Sequence, residues 1–529
     1  MIERNWQIWT TSLVIALACL VAPTMAQAQS GHEQAHTLLS AWQMEEARAA
    51  IDLVAQTDRN SPHRHYLEAR YAFYMGDYQE ALGHLDNALE GLERADWQQF
   101  REIISSTHDV TDGYEKHVSP SGRFEIHIEP GRDAVLIPYA FEALEAAYDV
   151  MGDELGYRPT APVRVEIYPR TSILADVSLL THDNIRTSGT IALCQYNRLM
   201  ITSPRAVLRG YSWVDTLVHE YIHFVINQRT TENVPIWMHE GLAKYLERQW
   251  RGRDAAMLEA SSEHLLKRRL EADDLIPFDA MHPSMAKLPS QEDAAVAFAE
   301  VYTTMEYLRR EVGQGAFAKL LDTINEGHDA QTAYARVLGT SWRQFEQVDW
   351  PAYLRERPTP EFEEDEPYEE RMVFDDQAAE QGNELQQVET PAARDHIQLG
   401  QMLQARDRHG VAVVQYQKAT QIIGERNPVL QTRLARSLVQ SGQPEKAVEA
   451  LAVVSELFPS HVSTWLEMGR AYMALSMYED ARDALREAAR INPFNPEIHE
   501  MLARAYNRLG ESEKATESEE FRALVRSRG

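Results

Sequence analysis

The chain has 529 residues, of which 44% are hydrophobic, so it can bury a sizeable core and is not a disordered tail. Its formal net charge is −29 at pH 7, which makes the average surface repel nucleic acid phosphates and anionic lipid headgroups. We therefore expect roughly three or four domains and no nucleic-acid partner.

The amino-terminal residues 1–28 have the composition of a signal peptide. An apolar stretch from Leu13 to Val21 follows Arg4, and the sequence AQA at 26–28 resembles a secretory cleavage site. The stretch is shorter than the roughly 20 residues that span a bilayer, which favours cleavage over an uncleaved anchor. We expect a mature chain that begins near Gln29, has no stable membrane span and is exported, to the periplasm or outside the cell.

The chain has two cysteines, Cys19 and Cys194. Cleavage of the signal removes Cys19, and a lipoprotein signal at that residue is a lesser alternative. Cys194 is then alone, so we expect no intramolecular disulfide. A small buried hydrophobe is the favoured role for this thiol, ahead of a ligand or a reactive group.

A repeat of 34 residues organises the carboxy-terminal region 392–529. From Pro428 onward, small residues recur at two fixed positions of each block, which are Ala435, Gly469 and Ala503, and Ala447, Ala481 and Ala515. A further block precedes them, with small residues at Gly400, Ala412 and Ala419. Small residues where two antiparallel helices approach closely are typical of tetratricopeptide repeats, which this region is predicted to contain.

The region 29–110 follows the same template less regularly. Its small positions are Ala35, Ala47, Ala69, Ala81 and Ala88. Two repeats alone are marginal, so we expect them to pack on the helix around Trp97–Ile104 or on the central domain. The sequence leaves open whether the repeats are structural spacers or a surface that binds a protein partner.

The central region 118–355 has a different pattern. Strand-forming residues cluster in GRFEIHI, VRVEIYP and RLMITSP, and the preceding IALC predicts a hairpin with the last of these. A helix is predicted from Ala134 to Leu155, and amphipathic helices are predicted from Tyr211 to about Val348. The pattern indicates an α+β domain with a small mixed sheet, flanked by all-α repeats.

The acidic run 356–391 is punctuated by prolines and predicts a solvated linker before the carboxy-terminal repeats. An acidic lid over the active site is a lesser alternative. Because such a linker offers few apolar groups, we expect a chain that ends near Glu370 to keep a folded central domain.

One short motif carries the candidate chemistry. The sequence WVDTLVHEYIHFVINQ places His219 and His223 one helical turn apart on the same face, so both imidazoles can bind one metal ion. Glu220 is displaced by about 100° around the helix and can stand beside a water at the metal without being a ligand. The motif is short, so the surrounding sequence must support it.

The segment NVPIWMHEGLAKYLE supplies that support, because its Trp-x-x-Glu-Gly-x-Ala pattern resembles the second helix of gluzincin zinc peptidases. The resemblance implies that Glu240 is the third zinc ligand. Further along, AEVYTTMEYLRREVG resembles the segment whose tyrosine stabilises the tetrahedral intermediate, which would be Tyr302. The similarity covers roughly 122–348 and is closest to small peptidase-MA-like domains found with tetratricopeptide repeats.

The family resemblance implies a zincin-type catalytic domain that binds Zn²⁺ through His219, His223 and Glu240 and acts on a peptide or protein substrate. Zinc would polarise the scissile carbonyl and acidify a water molecule. Glu220 would take the proton of that water and return it to the leaving amine, and Tyr302 would hydrogen-bond the oxyanion.

The chain departs from the family pattern at two places. Thermolysin-like members carry an aspartate four residues after the ligand glutamate, where this chain has Lys244. Exopeptidases anchor the substrate amine with a glutamate in a strand before the zinc helix, and the segment 189–204 contains no acidic residue. These differences favour an endopeptidase, whose extended substrate pairs with an edge of that strand.

Helix periodicity and the family pattern disagree about the third ligand. His239 shares an apolar stripe with Leu242 and Leu246, whereas Glu240 lies about 100° away. We follow the family pattern and predict that Glu240 binds the metal and that His239 contributes packing. Glu247 either supports a ligand or lies on the surface.

Two other functions stay open. The protein could be a partner-binding repeat scaffold of the cell envelope whose zinc domain is degenerate, or a metallohydrolase that acts on a non-peptide amide. The presence of every ligand type together with Glu220 favours the peptidase.

Overall fold

The structure is a computed structural model of the chain and describes residues 31–230, 234–252, 255–282, 285, 288–358, 388 and 390–527. The predicted signal peptide 1–28 and nearly all of the predicted linker 356–391 lie outside the described residues. Across the described ranges, no helix is both long and apolar enough to cross a membrane.

The amino-terminal repeats are helical. The helices are α1 (31–40), α2 (Met44–Thr57), α3 (Pro62–Met75), α4 (Tyr78–Gly91) and α5 (Ala95–Thr111). Ala69 and Ala81 are fully buried where α3 packs on α4. Trp97 of α5 stacks on Tyr66 of α3 with ring centroids 4.7 Å apart, so the helix around Trp97 completes the repeat pair.

A five-stranded sheet forms the centre of the central region. Its strands are β1 (Glu115–Val118), β2 (Phe124–Ile128), β3 (Val163–Tyr168), β4 (Ala192–Gln195) and β5 (Arg198–Thr202), in the order β1-β2-β3-β5-β4. The three inner strands are parallel and both edge strands are antiparallel to their neighbours, so the sheet is mixed as predicted. The sequence analysis did not predict β1, because its EKHV sequence is mostly exposed and lacks an apolar alternation.

The connections place helices beside this sheet. Helix α6 (Ile137–Leu155) joins β2 to β3, and the short helices α7 (Ile173–Asp176) and α8 (His182–Ser188) lie between β3 and β4. The predicted helix from Ala134 to Leu155 corresponds to α6. Its apolar side packs in the central core with the inner strands.

A two-residue turn joins β4 to β5. Tyr196 and Asn197 have φ angles of 57° and 60°, which is the pattern of a type I′ hairpin turn. The Tyr196 ring lies in the core of the amino-terminal repeats, 5.1 Å from the Phe73 ring between centroids. The Asn197 Nδ2 donates a hydrogen bond to the carbonyl oxygen of Tyr74 at 3.2 Å, so the repeats hold the tip of the hairpin.

A buried charge cluster makes the second contact between these repeats and the sheet. Glu166 of β3 is fully buried and accepts hydrogen bonds from Tyr78 of α4 and, at 2.7 Å, from Arg164 Nε. Arg198 of β5 lies 3.2 Å from the same carboxylate and is also fully buried. The repeats therefore pack on the central domain as well as on α5, so both expected supports are present.

Helices follow the sheet, as the sequence predicted for this part of the chain. They are α9 (Trp213–Arg229), α10 (Ile236–Leu246), α11 (Ala260–Glu271), α12 (Gln291–Val312), α13 (Ala316–Asn325), α14 (Ala330–Leu338), α15 (Trp342–Gln344) and α16 (Trp350–Glu356). Helices α10 and α12 approach closely, because a Cβ at Gly241 would lie 2.8 Å from the Val301 carbonyl oxygen. Glycine is therefore required at this crossing.

The carboxy-terminal repeats are antiparallel helix pairs. They are α17 (Pro391–Gln404), α18 (His409–Ile423), α19 (Pro428–Gln440), α20 (Pro444–Leu457), α21 (Val462–Ala474), α22 (Tyr478–Ile491), α23 (Pro496–Leu509) and α24 (Ser512–Arg526). The first helices of the last three pairs begin 34 residues apart, which matches the predicted period. A Cβ at Gly469 would lie 2.6 Å from Leu485 Cγ, which explains the small residue.

The last two of these helix pairs, α21–α22 and α23–α24, share a core with the central region. Helices α17–α20 have a core of their own, to which part of α21 contributes. By contrast, Leu485, Leu502 and Tyr506 are buried in the same cluster as Tyr139 and Trp250 of the central region. This shared core argues against the expectation that the central domain folds without the repeats, because the composition of a linker does not determine how the two parts pack on each other.

A buried carboxyl group in α12 leads to a prediction about pH. Glu300 is fully buried, its Oε1 accepts a hydrogen bond from the Ile276 amide at 2.7 Å, and its Oε2 has no partner among the described residues. Burial raises the pKa of Glu300 to about 8, so the folded protein holds this proton while the unfolded chain loses it near pH 4.5. Stability from this group is present below pH 4.5 and is lost as pH rises to 8.

We expect Glu300→Gln to remove this pH dependence, because the amide keeps the acceptor for Ile276 and cannot ionise. The variant should match the wild-type free energy of unfolding near pH 5 and exceed it by roughly 2–4 kcal/mol at pH 8. Urea unfolding at both pH values measures the difference. A difference that is the same at both pH values would show that Glu300 is ionised in the fold.

Candidate metal centre

Helix α9 presents both histidines of the motif to one side. The buried face of α9 carries large apolar residues, including Leu217, Tyr221 and Ile222, which fix the rotation of the helix against the core. His219 and His223 then lie together, with ring centroids 4.7 Å apart and side chains 13% and 15% exposed. Both imidazoles are therefore held by packing and still reachable from outside.

Helix α10 brings Glu240 to the two histidines. Its Oε2 lies 3.2 Å from His219 Nε2 and 3.6 Å from His223 Nε2. The three donor atoms lie within 4.8 Å of one another. The structure therefore brings together the three residues that the sequence analysis selected as metal ligands.

These distances fit a tetrahedral zinc ion. Zinc bound at 2.0–2.1 Å by tetrahedral nitrogen and oxygen ligands separates the donor atoms by about 3.4 Å. The two measured separations, 3.2 and 3.6 Å, fall on either side of that value. Two imidazoles and one carboxylate leave a fourth position open, which is the donor set of catalytic zinc sites.

His239 lies beside this cluster and is not part of it. Its ring centroid is 5.5 Å from that of His223, and Glu240, not His239, groups with the two histidines. Leu242 and Leu246 are fully buried, so the apolar stripe exists as the periodicity predicted. Glu240 flanks the stripe and still reaches the histidines, because α9 and α10 pack against each other here.

We expect Glu240→Ala to weaken zinc binding by more than about 100-fold, a larger loss than changes outside the ligand set produce. His239→Ala should cost packing and keep the metal. Competition against a calibrated zinc chelator measures both affinities. If His239→Ala loses zinc and Glu240→Ala retains it, the third ligand is a histidine and the assignment of Glu240 is wrong.

Glu247 contacts the ring nitrogen of His219 that does not face Glu240. Its Oε2 lies 2.9 Å from His219 Nδ1, and its Oε1 accepts a hydrogen bond from Lys244 Nζ at 2.6 Å. A carboxylate on the second ring nitrogen fixes the tautomer and orientation of a histidine ligand. Glu247 at the end of α10 thus replaces the aspartate that the family has at the position of Lys244, and the open question about Glu247 is answered by contact with His219.

The charges around this pair are strongly coupled. Burial alone would lower the pKa of His219, but the carboxylates of Glu240 and Glu247 raise it to about 10. Burial would likewise raise the pKa of Glu247, yet Lys244 and His219 lower it to about 2. His219 thus lies between the carboxylates of Glu240 and Glu247, and Lys244 pairs with the second of them.

Glu220 points to a different part of the site. It is buried, with 6% of its surface exposed, and burial raises its pKa although the two histidines oppose this. The backbone N–H of Cys194 in β4 donates a hydrogen bond to its carboxylate. Glu220 therefore lies between the histidine cluster and the edge strand of the sheet, which suits a group that exchanges protons with a substrate on that strand.

Tyr302 is not brought to this cluster. Its side chain is 1% exposed, and the ring packs 5.5 Å from that of Tyr245. The groups that act most strongly on its hydroxyl, apart from burial, are Glu306, Arg357 and Tyr245, and none of them belongs to the metal centre. The role in oxyanion binding that the resemblance implied is not supported by this position, because α12 turns the tyrosine into the core behind α10.

The edge strand β4 runs beside Glu220. The Thr202 amide donates to the Ile191 carbonyl oxygen at 2.8 Å, which fixes the alternation of the β4–β5 ladder. In that alternation Leu193 pairs with β5, whereas Ala192 and Cys194 direct their backbone groups to the open edge. Among the described strands β4 has only β5 as a neighbour, so this edge can accept another strand.

Cys194 itself is a packed thiol. It lies against the central core, and burial first and the Glu220 carboxylate second raise its pKa well above the usual value. A thiol of that kind is protonated and unreactive at neutral pH. This environment agrees with the buried role expected from the sequence.

Comparison with protein families gives two matches. Residues 145–356 match the Peptidase MA superfamily model, and residues 438–505 match a tetratricopeptide repeat model. The first match contains the histidine pair, Glu220 and Glu240. The second covers the helices whose 34-residue spacing is described above.

A curated relative is the TPR repeat-containing protein YpiA of Bacillus subtilis, which is 28% identical over 131 residues. The aligned part is 24% of this chain and 30% of the relative, so the chain spans less than a third of that protein.

Solved structures with matching parts include MamA, at 22% identity, and the Thermus thermophilus protein TTC0263, at 26% identity. They cover 24% and 25% of this chain, and in each case 74% of the other chain, with TM-scores of 0.23 and 0.24. The chain therefore joins, in one polypeptide, a region that matches the Peptidase MA superfamily and a region that matches tetratricopeptide repeats.

Proposed function

We propose that the protein is a zinc-dependent endopeptidase of the cell envelope. One observation carries this proposal. The donor atoms of His219, His223 and Glu240 lie at distances from one another that suit zinc, and Glu220 lies beside them without belonging to the ligand set. The superfamily match supports peptide hydrolysis as the reaction.

The residues divide the chemistry between them. Bound zinc would supply a Lewis acid that acidifies a water molecule and polarises the scissile carbonyl. Glu220 accepts the proton of the attacking water and passes it to the departing amine, the two transfers expected of a carboxylate held beside the ligand set. Glu247 holds the ring of His219 throughout, through Nδ1.

The substrate is proposed to bind as an extended strand on β4. The outward backbone groups of Ala192 and the outward carbonyl of Cys194 offer hydrogen bonds that do not depend on substrate side chains, while the Cys194 N–H donates to Glu220. The hairpin 189–204 has no acidic side chain that could hold a substrate amino terminus, which favours cleavage within a chain. A peptide or unfolded protein segment is the substrate class that fits.

Export is part of the proposal and rests on the sequence of residues 1–28. The repeats are proposed to recruit a protein partner or a protein substrate. If the zinc domain has no activity, partner binding by the repeats is the remaining function, and the repeat match at 438–505 favours it.

We expect purified protein to contain about one zinc ion per chain, because the donor set of a single catalytic site is present. Metal analysis after purification without chelators measures the content, and dialysis against a chelator should abolish cleavage of an unstructured peptide until zinc is restored. A zinc content near zero that added zinc does not raise would exclude the metalloenzyme.

A further inference from the structure

The carboxy-terminal repeats contact the central region at the start of α9, the helix that carries His219 and His223. The Tyr211 amide donates to the Ile491 carbonyl oxygen of α22 at 3.3 Å. Gly210 packs so closely there that a Cβ would lie 2.5 Å from the same oxygen. Ser212, which precedes α9, donates through Oγ to Ser460 Oγ at 3.1 Å. The start of α9 therefore contacts the repeats at two positions, the end of α22 and the loop before α21.

A chain of ion pairs runs from α22 into α9. Glu487 Oε2 lies 2.6 Å from Arg251 Nη1, and Arg251 in turn binds Asp215 through Nε at 2.9 Å and Nη2 at 3.1 Å. Asp215 is 4% exposed and also accepts a hydrogen bond from Trp250 Nε1 at 3.0 Å. It lies four residues before His219, so it shares that face of the helix.

A second chain of polar contacts runs from the loop between α20 and α21 towards the same histidine. Ser460 Oγ donates to Glu259 Oε1 at 2.6 Å and accepts a hydrogen bond from Ser212 Oγ, so it joins Glu259 to the residue before α9. Helix α9 carries His219, whose Nδ1 contacts Glu247. The first route starts at Glu487 on α22, and the second starts at Ser460 in the loop before α21.

We propose that the carboxy-terminal repeats hold the metal centre in its binding geometry, with Glu487 and Ser460 as positioning residues. The proposal rests on the proposed function only in requiring that the histidine–glutamate cluster binds zinc. Zinc affinity depends on donor separations near 3.4 Å, so a small displacement of α9 or of the Glu247 carboxylate weakens it. By reciprocity, a partner that shifts the repeats changes zinc affinity, and zinc changes affinity for that partner.

The test compares three variants of the full-length chain. Glu487→Gln removes the charge that holds Arg251, and Ser460→Ala removes one hydroxyl from the second route. Glu142→Gln is the matched control, because Glu142 of α6 pairs with Arg486 and Arg490 of the same repeats at 2.6 and 2.9 Å and, among the described residues, contacts neither Arg251 nor Asp215. Zinc affinity is measured by chelator competition, and geometry is measured by the absorption spectrum of cobalt-substituted protein.

We expect Glu487→Gln to bind zinc about 10-fold more weakly and Ser460→Ala a few-fold more weakly, which is the range for groups that support ligands. The cobalt spectrum should shift in Glu487→Gln, and Glu487→Asp should restore it in part. Glu142→Gln should keep the wild-type affinity and spectrum even if its melting temperature falls.

Two results would overturn the inference. One is wild-type zinc affinity and an unchanged cobalt spectrum in both Glu487→Gln and Ser460→Ala. The other is an equal loss of affinity in Glu142→Gln, which would mean that the repeats act only through overall stability. A wild-type protein that binds no zinc would instead contradict the proposed function, so the two failures are distinguishable. If Glu487→Gln is insoluble, Ser460→Ala still tests the inference, because this smaller change removes only one hydroxyl group.

Discussion

Glu220→Gln will lower the turnover of an unstructured peptide by about 10²-fold or more and leave the zinc content near one per chain. The amide has nearly the shape of the carboxylate, so it can still accept the hydrogen bond from the Cys194 amide. It cannot take a proton from the attacking water. Turnover should therefore fall while zinc affinity, measured by chelator competition, stays unchanged.

The exposed Glu326 at the end of α13 provides a matched control, because Glu326→Gln makes the same chemical change far from the motif. This variant should cleave at the wild-type rate. Undiminished cleavage by Glu220→Gln would exclude Glu220 as the base. Loss of zinc in that variant would show that the carboxylate has a structural role in the metal centre.

Ending the chain near Glu370 is expected to give an insoluble protein, or one that melts about 10 °C or more below the full-length chain. The cut removes Leu485, Leu502 and Tyr506 from the shared core and leaves Tyr139 and Trp250 without their cover. Each large apolar side chain that returns to water costs about 1.5–3 kcal/mol, so a few of them match much of the stability of a domain.

A chain that keeps the repeats and carries a Gly/Ser segment of equal length in place of residues 360–386 is the control for this truncation. It should keep the wild-type melting temperature, because Leu485, Leu502 and Tyr506 stay in the chain and can still cover Tyr139 and Trp250. A truncated protein that is soluble, binds zinc and melts like the parent would contradict the shared core.

Local pattern was sufficient for most secondary structure and for the pairing of His219 with His223. The 34-residue period anticipated the helix starts, and the four-residue spacing of His219 and His223 needed only a helix to bring the imidazoles together. Glu240 required more, because periodicity alone favoured His239. The family pattern pointed to the residue that the structure places beside the two histidines, since it records how two helices cross as well as how one helix turns.

Contacts between distant segments could not be predicted. Ser460 and Glu487 lie more than two hundred residues from Ser212 and Arg251, and nothing in the local sequence marks them. Tyr302 was assigned from the resemblance of a segment, but the rotation of α12 against α10 decides where that side chain points. Glu247 could have been favoured earlier, because its place seven residues after Glu240 keeps it near the same face of the helix.

The anchored hairpin has a consequence for affinity. Because Tyr196 and Asn197 are fixed in the amino-terminal repeats, β4 is held in an extended conformation before any substrate arrives. Ordering a flexible strand would cost about 1–2 kcal/mol of backbone entropy per residue. Because β4 is already ordered in the folded protein, binding does not add this cost. A peptide that pairs with β4, as proposed, would therefore lose only its own conformational freedom on binding.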